Sequence, residues 1–565
     1  MNSRQLPLDY NNDNRLLLGL NHLEIAKNNI DQNKKSLIKK NTGKFYTPPE
    51  IGKPLIDSVL EYFSFSNKNT VSIIDPFCGD GRLVVWLLEA IKNKNIDKIN
   101  ITLWDYDQSA VNQARVNVEK RSKELCLNCN IDAKNVDSFK EFLIGDHEGY
   151  FDIVVTNPPW DIIKPDKLEL KHLDEQSRID YIRSLKQFSN RLINDYPTSK
   201  PNQMYAGWGV NLARVGSEMA IRLAKNEGVT GLVSPASLYA DQNSTGLREW
   251  IFHNNHNKEI NYFPAESRLF DGVDVASVSI VIIKGALQDG ILLNCFDKNA
   301  RNILREKLEI PLTLLKSIDY KVPISFGSKS QNIAQLVKFQ KLPSFNDLEC
   351  PELGGLWSGR ELDETNHLSW TSSEGKYSFI KGRMVDRFIA LKTSKLFIGE
   401  SKIKDIPRST NYYRLAWRDV SRPTQKRRVI ATIVPPNCVT GNSLGVAYFK
   451  NDTNLSKLFA LLGVMSSLVF EFQVRSLLAT SHISLGALRK THIPDFSNFK
   501  FVDQISNLVD RRIKGEEDLE KDIEILVAKS YGCSKNDFVE IVNAFPKLDE
   551  IYKEELISSQ LWLQV

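Results

Sequence analysis

Between Lys44 and about Gly285, short apolar runs alternate with segments of helical period, the pattern of an α/β domain. The strand-like runs are Val71–Ile74, Ile101–Trp104, Phe151–Thr156, Thr230–Val233 and Val278–Ile283. Helix-length stretches such as Arg82–Lys92, Gln108–Lys120 and Asn211–Asn226 lie between them. Residues 286–375, punctuated by Pro311, Pro323, Pro343 and Pro351, show no dominant period. Farther on, Arg428–Val434 reads as a strand and Lys457–Leu478 as one long apolar helix. Residues 500–565 read as acidic amphipathic helices, and residues 1–40 as a polar arm or a single helix. These shifts divide the chain into an arm (1–40), a first domain (41–290), a linker (291–340), a second domain (341–500) and a helical C-terminal segment (501–565).

Composition narrows the class. In 565 residues, 42% are apolar and 25% charged, as in ordinary globular proteins and unlike disordered or collagenous chains. The longest apolar runs, Val278–Ile283 and Leu458–Phe470, fall short of the ~20 residues that span a bilayer. With no apolar leader after Met1, the expectation is a cytoplasmic protein without a membrane partner. Seven scattered cysteines are no disulfide framework, and Cys126-Leu-Asn-Cys129 stands alone, so no metal site is expected. The net charge of +5 is mild, but its distribution is not. From Lys376 to Arg428 there are fifteen Lys/Arg against four Asp/Glu, and from Phe501 onward fourteen acids against eight bases. A basic block in a near-neutral chain suits either a phosphate-binding surface or a solvated face.

The segment Ser72-Ile-Ile-Asp75-Pro76-Phe77-Cys78-Gly79-Asp80-Gly81-Arg82 reads as a strand, a glycine turn and a helix start. Glycines there let backbone approach a ligand closely. A nucleoside cofactor would lie across such a turn, at the carboxyl ends of the strands. The next strand ends in Asp105, placed to accept ribose hydroxyls, and Asp137 follows with the option of an adenine contact or a helix cap. The order D-P-x-C-G-x-G differs from a dinucleotide fingerprint and points to S-adenosylmethionine. Upstream, Phe45-Tyr46-Thr47-Pro48 precedes a helix and could hold the methionine carboxylate.

The run Phe151–Thr156 leads into Asn157-Pro158-Pro159-Trp160. Prolines stiffen this backbone and fix its carbonyls. A nucleobase amino nitrogen is a poor nucleophile because its lone pair is delocalised into the ring. Acceptors at the Asn157 side chain and the Pro158 carbonyl can bind both amino hydrogens and stabilise charge as methyl transfer begins. Trp160 offers a stacking face for a base turned out of the duplex.

With these motifs in this order, residues 44–285 resemble the gamma-class amino-methyltransferases of restriction–modification systems. The resemblance continues in Tyr377-Ser-Phe-Ile-Lys381-Gly382-Arg383-Met384-Val385, in Arg414-Leu-Ala-Trp417-Arg418-Asp419-Val420 and in Arg428–Pro436, which are similar to segments of type II and type IIG adenine methyltransferases. It implies a Rossmann-like S-adenosylmethionine-dependent methyltransferase domain, a mixed α/β target-recognition domain and a helical C-terminus. It implies N6-adenine methylation of double-stranded DNA, with a separate restriction endonuclease as functional partner. The cofactor-binding set it carries over is Phe45, Tyr46, Thr47, Pro48, Asp75, Pro76, Cys78, Gly79, Gly81, Asp105, Asp137 and Asn157. Catalysis falls to Asn157, Pro158, Pro159 and Trp160. Phe270 is the candidate for the opposite face of the base, or else a core phenylalanine. Lys381, Arg383, Arg414, Arg418, Arg422, Lys426 and Arg427 are the candidate DNA contacts.

Trp160 stands where adenine-specific members usually carry Tyr or Phe, which leaves cytosine N4 as the alternative target. An RNA or protein-glutamine methyltransferase is a second alternative, and an inactive binding subunit a third. Trp160–Leu192 reads as a charged loop closing over substrate. It contains Pro165-Asp166-Lys-Leu-Glu169-Leu-Lys171, which resembles a nuclease motif but has no room for a nuclease core.

Overall fold

The computed structural model describes residues 46–66, 68–166, 170–171, 173–204, 207–271, 274–326, 329–363, 370–389, 394–423, 425–452, 454–478 and 481–563. The arm, Phe45 and Glu169 lie outside the described residues. The chain forms two compact units, Met1–Leu238 with Asn243–Leu304, and Tyr239–Gln242 with Arg305–Val565.

The first unit is built on β1 (Thr70–Asp75), β2 (Lys98–Asp105), β3 (Cys129–Asn135), β4 (Phe151–Thr156), β5 (Ala224–Pro235), β6 (Asn255–Phe263), β7 (Ser277–Lys284) and β8 (Ile291–Phe296). These strands, with β9 (Asn302–Leu308), form one sheet in the order 3-2-1-4-5-7-6-8-9. Strands β3 to β5 along that order are parallel, and β7 is antiparallel to both neighbours. Chain order reverses between β1 and β4, so their carboxyl ends open onto the crevice where doubly wound sheets hold ligands. Burial explains the apolar runs: β4 is buried at every position and β1 at all but its first. Helices Arg82–Ile91, Gln108–Glu124 and Leu212–Leu223 fall on the three segments expected to be helical. The unit extends past residue 290 to Leu304, because β8 pairs with β6 and lengthens its sheet.

Two other expectations are corrected. The stretch after Trp160 is not all loop, since Glu175–Asp195 is a helix. Asp174 caps it by accepting Ser177 N–H at 2.9 Å, and Ser189 and Leu192 anchor its buried side.

The second unit holds two four-stranded sheets. One orders β10 (Leu356–Gly359), β17 (Leu444–Phe449), β14 (Arg414–Arg418) and β15 (Ala431–Val434). The other orders β11 (Thr371–Ser372), β13 (Phe397–Ile398), β12 (Tyr377–Ile380) and β16 (Cys438–Thr440). The expected long helix at 457–478 is instead two, Ser456–Met465 and Leu468–Ser476, bent by 61°. The break follows from Ser467, whose hydroxyl accepts Phe470 N–H at 3.2 Å and starts a new helix. Among the described residues, no single helix is long and apolar enough to cross a membrane.

Candidate active site

The glycine turn leaves β1 at Asp75. Gly79 and Gly81 have φ of 52° and 79°, in the left-handed region that favours glycine. A Cβ on Gly81 would come within 3.0 Å of the Ala114 backbone, so the turn packs tightly on the helix Gln108–Glu124. Carboxylates hold it in shape. Asp75 Oδ1 accepts Phe77 N–H at 3.1 Å, and Asp105 Oδ2 accepts Gly79 N–H at 2.9 Å. The Cys78 N–H donates to the Trp104 carbonyl at 2.9 Å, which ties the turn to the end of β2. Burial pushes the Asp75 carboxyl up to about 7, and the nearby Asp105 and Asp80 add to the rise. Burial likewise raises the Cys78 thiol, which keeps it protonated and unreactive.

The ribose candidate Asp105 therefore already orders the turn, with Oδ1 accepting Asp107 N–H at 2.9 Å. Asp137 combines two structural tasks: Oδ1 caps the helix Ser138–Ile144 and Oδ2 meets Arg191 at 3.2 Å. The Ser138 hydroxyl donates to the Pro76 carbonyl, joining this cap to the turn. Tyr46 lies over Gly79, since a Cβ there would meet its ring at 3.4 Å. Thr47 is buried, and Pro48 leads directly into the helix Pro49–Tyr62.

The tetrapeptide leaves the carboxyl end of β4, next to β1 in the sheet. Pro158 packs on Gly216 of the helix Leu212–Leu223, where a Cβ would fall 2.5 Å from the proline ring. Below the tetrapeptide, Asp152 pins three strands together. It accepts Ser72 N–H at 2.9 Å and pairs with Lys68 at 2.6 Å and Lys225 at 3.0 Å.

Trp160 donates its indole N–H to Asn157 Oδ1 at 3.0 Å, and its ring meets Phe270 edge to face with centroids 4.6 Å apart. Phe270 is 4% exposed and belongs to the apolar core. A base sandwiched between the two rings needs centroids roughly 7 Å apart, the outer limit of direct ring pairs. Trp160 must move for Phe270 to face a base.

Gly216 and Arg82 are site residues that sequence reasoning missed. A glycine inside a helical pattern is a signal for close packing, and Arg82 directly follows the glycine turn.

The cation candidates divide by burial. Arg414 is a correction: it has no exposed surface, pairs with buried Glu361 at 2.6 Å and donates to the Pro435 and Cys438 carbonyls. Arg427 is another, held by Glu471 at 2.9 Å and Glu524 at 2.8 Å. These guanidiniums cannot reach DNA because each is enclosed with its own counter-charge. Arg418 is half-buried and points its fork at the Val385 carbonyl. Arg383, Arg422 and Lys426 are exposed, and Lys381 is partly so.

Residues 32–307 match the family model for N-6 DNA methylases. The matched segment contains the glycine turn, the tetrapeptide and Phe270, and its cofactor is S-adenosylmethionine. Gly79, Gly81 and the surrounding carboxylates fit a nucleoside held close to backbone. A type II methyltransferase of Vibrio sp. (strain 343), M.VspI, is 32% identical over 126 residues, 22% of this chain and 26% of that protein. The MjaIX methylase subunit of a type I restriction enzyme, from Methanocaldococcus jannaschii, is 27% identical over 213 residues, 35% of each chain. The matches thus span about a third or less of those two relatives. Among solved structures, the type IIL restriction–modification enzyme MmeI in complex with DNA shares the fold. Its TM-score is 0.51 at 12% identity, over 90% of this chain and 76% of that one.

Proposed function

We propose that the first unit transfers a methyl group from S-adenosylmethionine to the N6 amino group of an adenine turned out of double-stranded DNA. The second unit supplies target recognition, and the modification protects sites from a separate restriction endonuclease. The observation that carries this reading is the pairing of β1 with β4. It sets the end of the strand carrying the glycine turn beside the end of the strand carrying Asn157-Pro158-Pro159-Trp160.

S-adenosylmethionine supplies an electrophilic methyl group, so the chain's own task is to present a nitrogen lone pair to it. Asn157 Oδ1 and the Pro158 carbonyl accept the two amino hydrogens, which favours a pyramidal nitrogen and offsets its growing positive charge. The fixed proline backbone makes that stabilisation available without rearrangement at the moment of reaction. Asp105 accepts ribose hydroxyls from its place at the end of β2 beside the glycine turn, and Asp137 accepts the adenine amino group. Thr47 lies on the methionine side. Arg383, Arg422, Lys426 and Lys381 contact DNA phosphates or base edges.

The test is Asn157→Ala in a single-turnover assay, with product digested to nucleosides. Methyl transfer should fall ~10²-fold or more while S-adenosylmethionine still binds. The wild-type product should be N6-methyladenine. Near-normal transfer by the variant would reject Asn157, and N4-methylcytosine as the sole product would reject adenine.

A further inference from the structure

Arg82 is the first residue of the helix that follows the glycine turn, a place where the positive end of the helix dipole disfavours a cation. Its partners explain why it is tolerated. Nε lies 2.9 and 3.1 Å from the two Asp80 carboxylate oxygens, and Nη2 lies 2.7 Å from Oδ2. Asp80 is itself fixed, because its backbone carbonyl accepts Asn117 Nδ2 at 2.9 Å. The remaining edge of the guanidinium reaches upstream, with Nη1 donating to the Thr47 carbonyl at 3.0 Å. Its centre sits 4.9 Å from the Tyr46 ring centroid, in cation–π range. Tyr46, 48% exposed, lies over Gly79.

One side chain thus joins three things: the acid inside the turn, the carbonyl of Thr47 and the face of Tyr46. We propose that Arg82 is a positioning residue that fastens residues 46–48 as a cover over the glycine turn and thereby sets cofactor affinity. This rests on the reading above, in which that turn holds S-adenosylmethionine. Arginine suits the task because its planar fork makes several directed bonds and also stacks on a ring, which a lysine ammonium cannot do at once. Asp80 neutralises it, so the latch adds no net positive charge beside a sulfonium ligand. The role lies in binding rather than in the chemical step, since the contacts of Arg82 run to Asp80, Thr47 and Tyr46 around the glycine turn and not to the tetrapeptide.

Calorimetry with S-adenosylhomocysteine on the full-length chain tests this, using the wild type, Arg82→Ala, Tyr46→Ala and the double variant. Each single change should weaken binding about 10-fold, and the double change should weaken it little further, as expected of groups acting through one contact. In the methylation assay, the KM for S-adenosylmethionine should rise while kcat at saturation stays nearly constant. Fully multiplicative losses in the double variant, or wild-type affinity in Arg82→Ala, would overturn the latch. Tyr46 is half exposed, so Tyr46→Ala remains informative even if Arg82→Ala unfolds; unchanged affinity there also overturns it. No binding by the wild-type chain would instead overturn the cofactor reading beneath.

Discussion

The indole N–H of Trp160 donates to Asn157 Oδ1 at 3.0 Å, so the acceptor assigned to the target amine already has a donor. On the proposed reading, in which a base is turned out of the duplex, the Trp160–Phe270 ring contact would put Trp160 in its path. A Tyr or Phe ring at this position has no indole N–H to offer Asn157. Trp160→Ala removes both the plug and the stacking face. Base–aromatic stacking is worth about 1–3 kcal/mol, so single-turnover methylation should fall roughly 5- to 150-fold. Trp160→Phe keeps a stacking face and should fall less. Equal rates for Trp160→Ala and the wild type would remove Trp160 from the base's path.

Gly216 and Pro158 define the next expectation. A methyl group at Gly216 would lie 2.5 Å from the Pro158 ring and 3.1 Å from the Phe77 ring. Either the helix Leu212–Leu223 or the tetrapeptide must shift. Gly216→Ala should destabilise the protein by about 1–3 kcal/mol, the usual cost of overpacking. It should also lower kcat more than it changes cofactor affinity, because the closest approach by far is to Pro158, which carries an acceptor, and only a lesser one is to Phe77 of the glycine turn. A melting curve and kcat both matching the wild type would show that Pro158 tolerates the displacement.

Two buried acids give stability opposite pH dependences. Asp75 is raised by burial to about 7, so the folded state holds its proton more tightly than the unfolded chain. Stability is therefore lost as pH climbs from about 4 to about 7, by up to about 4 kcal/mol. Asp75→Asn keeps an oxygen acceptor for Phe77 N–H and removes the charge. The variant should melt higher than the wild type at pH 8, and the gap should close below pH 4. Asp152 behaves in reverse. Burial opposes its ionisation, but Lys68, Ser72 and Lys225 outweigh that and hold it at about 2. Its contribution is complete above about pH 4 and fades as pH falls toward 2. A melting-temperature gap for Asp75→Asn that is the same at pH 4 and pH 8 would contradict the assignment.

Much of the first unit was legible because its central strands are apolar throughout and its chemistry lies in contiguous motifs. The run Phe151–Thr156 coincides with β4, and the tetrapeptide follows it directly. What escaped was polar and inside. Strand β6 starts Asn255-His256-Asn257-Lys258-Glu259, a poor strand pattern, yet Glu259 is buried and accepts Ser58 Oγ at 2.7 Å and Asn294 Nδ2 at 2.9 Å. Asn294 also donates to Asn261 at 2.7 Å, so a ladder of polar side chains crosses β6 and β8. No local pattern announces partners about thirty-five to two hundred residues away. Strand β3 was hidden for another reason: it is the sheet edge, where half the residues face water. The base-facing part of the site was half legible, since Phe270 proved both core residue and neighbour of Trp160.

The basic block illustrates the same limit and yields the last prediction. Counting charges treats Arg427 and Lys426 alike, although one is enclosed and the other exposed. Arg427 meets Glu471 and Glu524 and donates to the Ser466 carbonyl, while Arg475 pairs with Glu471 and Arg387 with Glu520. Removing the central guanidinium leaves two carboxylates buried and underpaired. Arg427→Met should therefore cost about 3–5 kcal/mol of stability, the penalty typical of breaking a buried pair. Lys426→Ala and Arg422→Ala should leave the melting temperature nearly unchanged. If either cation touches a phosphate, its loss should weaken binding to all DNA sequences about equally and lower the salt slope by about one. If it reads a base edge, the loss should cost about 1–3 kcal/mol at one position only. Parallel melting curves and salt titrations of the three variants separate these roles. A strongly destabilised Lys426→Ala beside a normal Arg427→Met would invert the assignment, because only an enclosed charge leaves its partners stranded when it is removed.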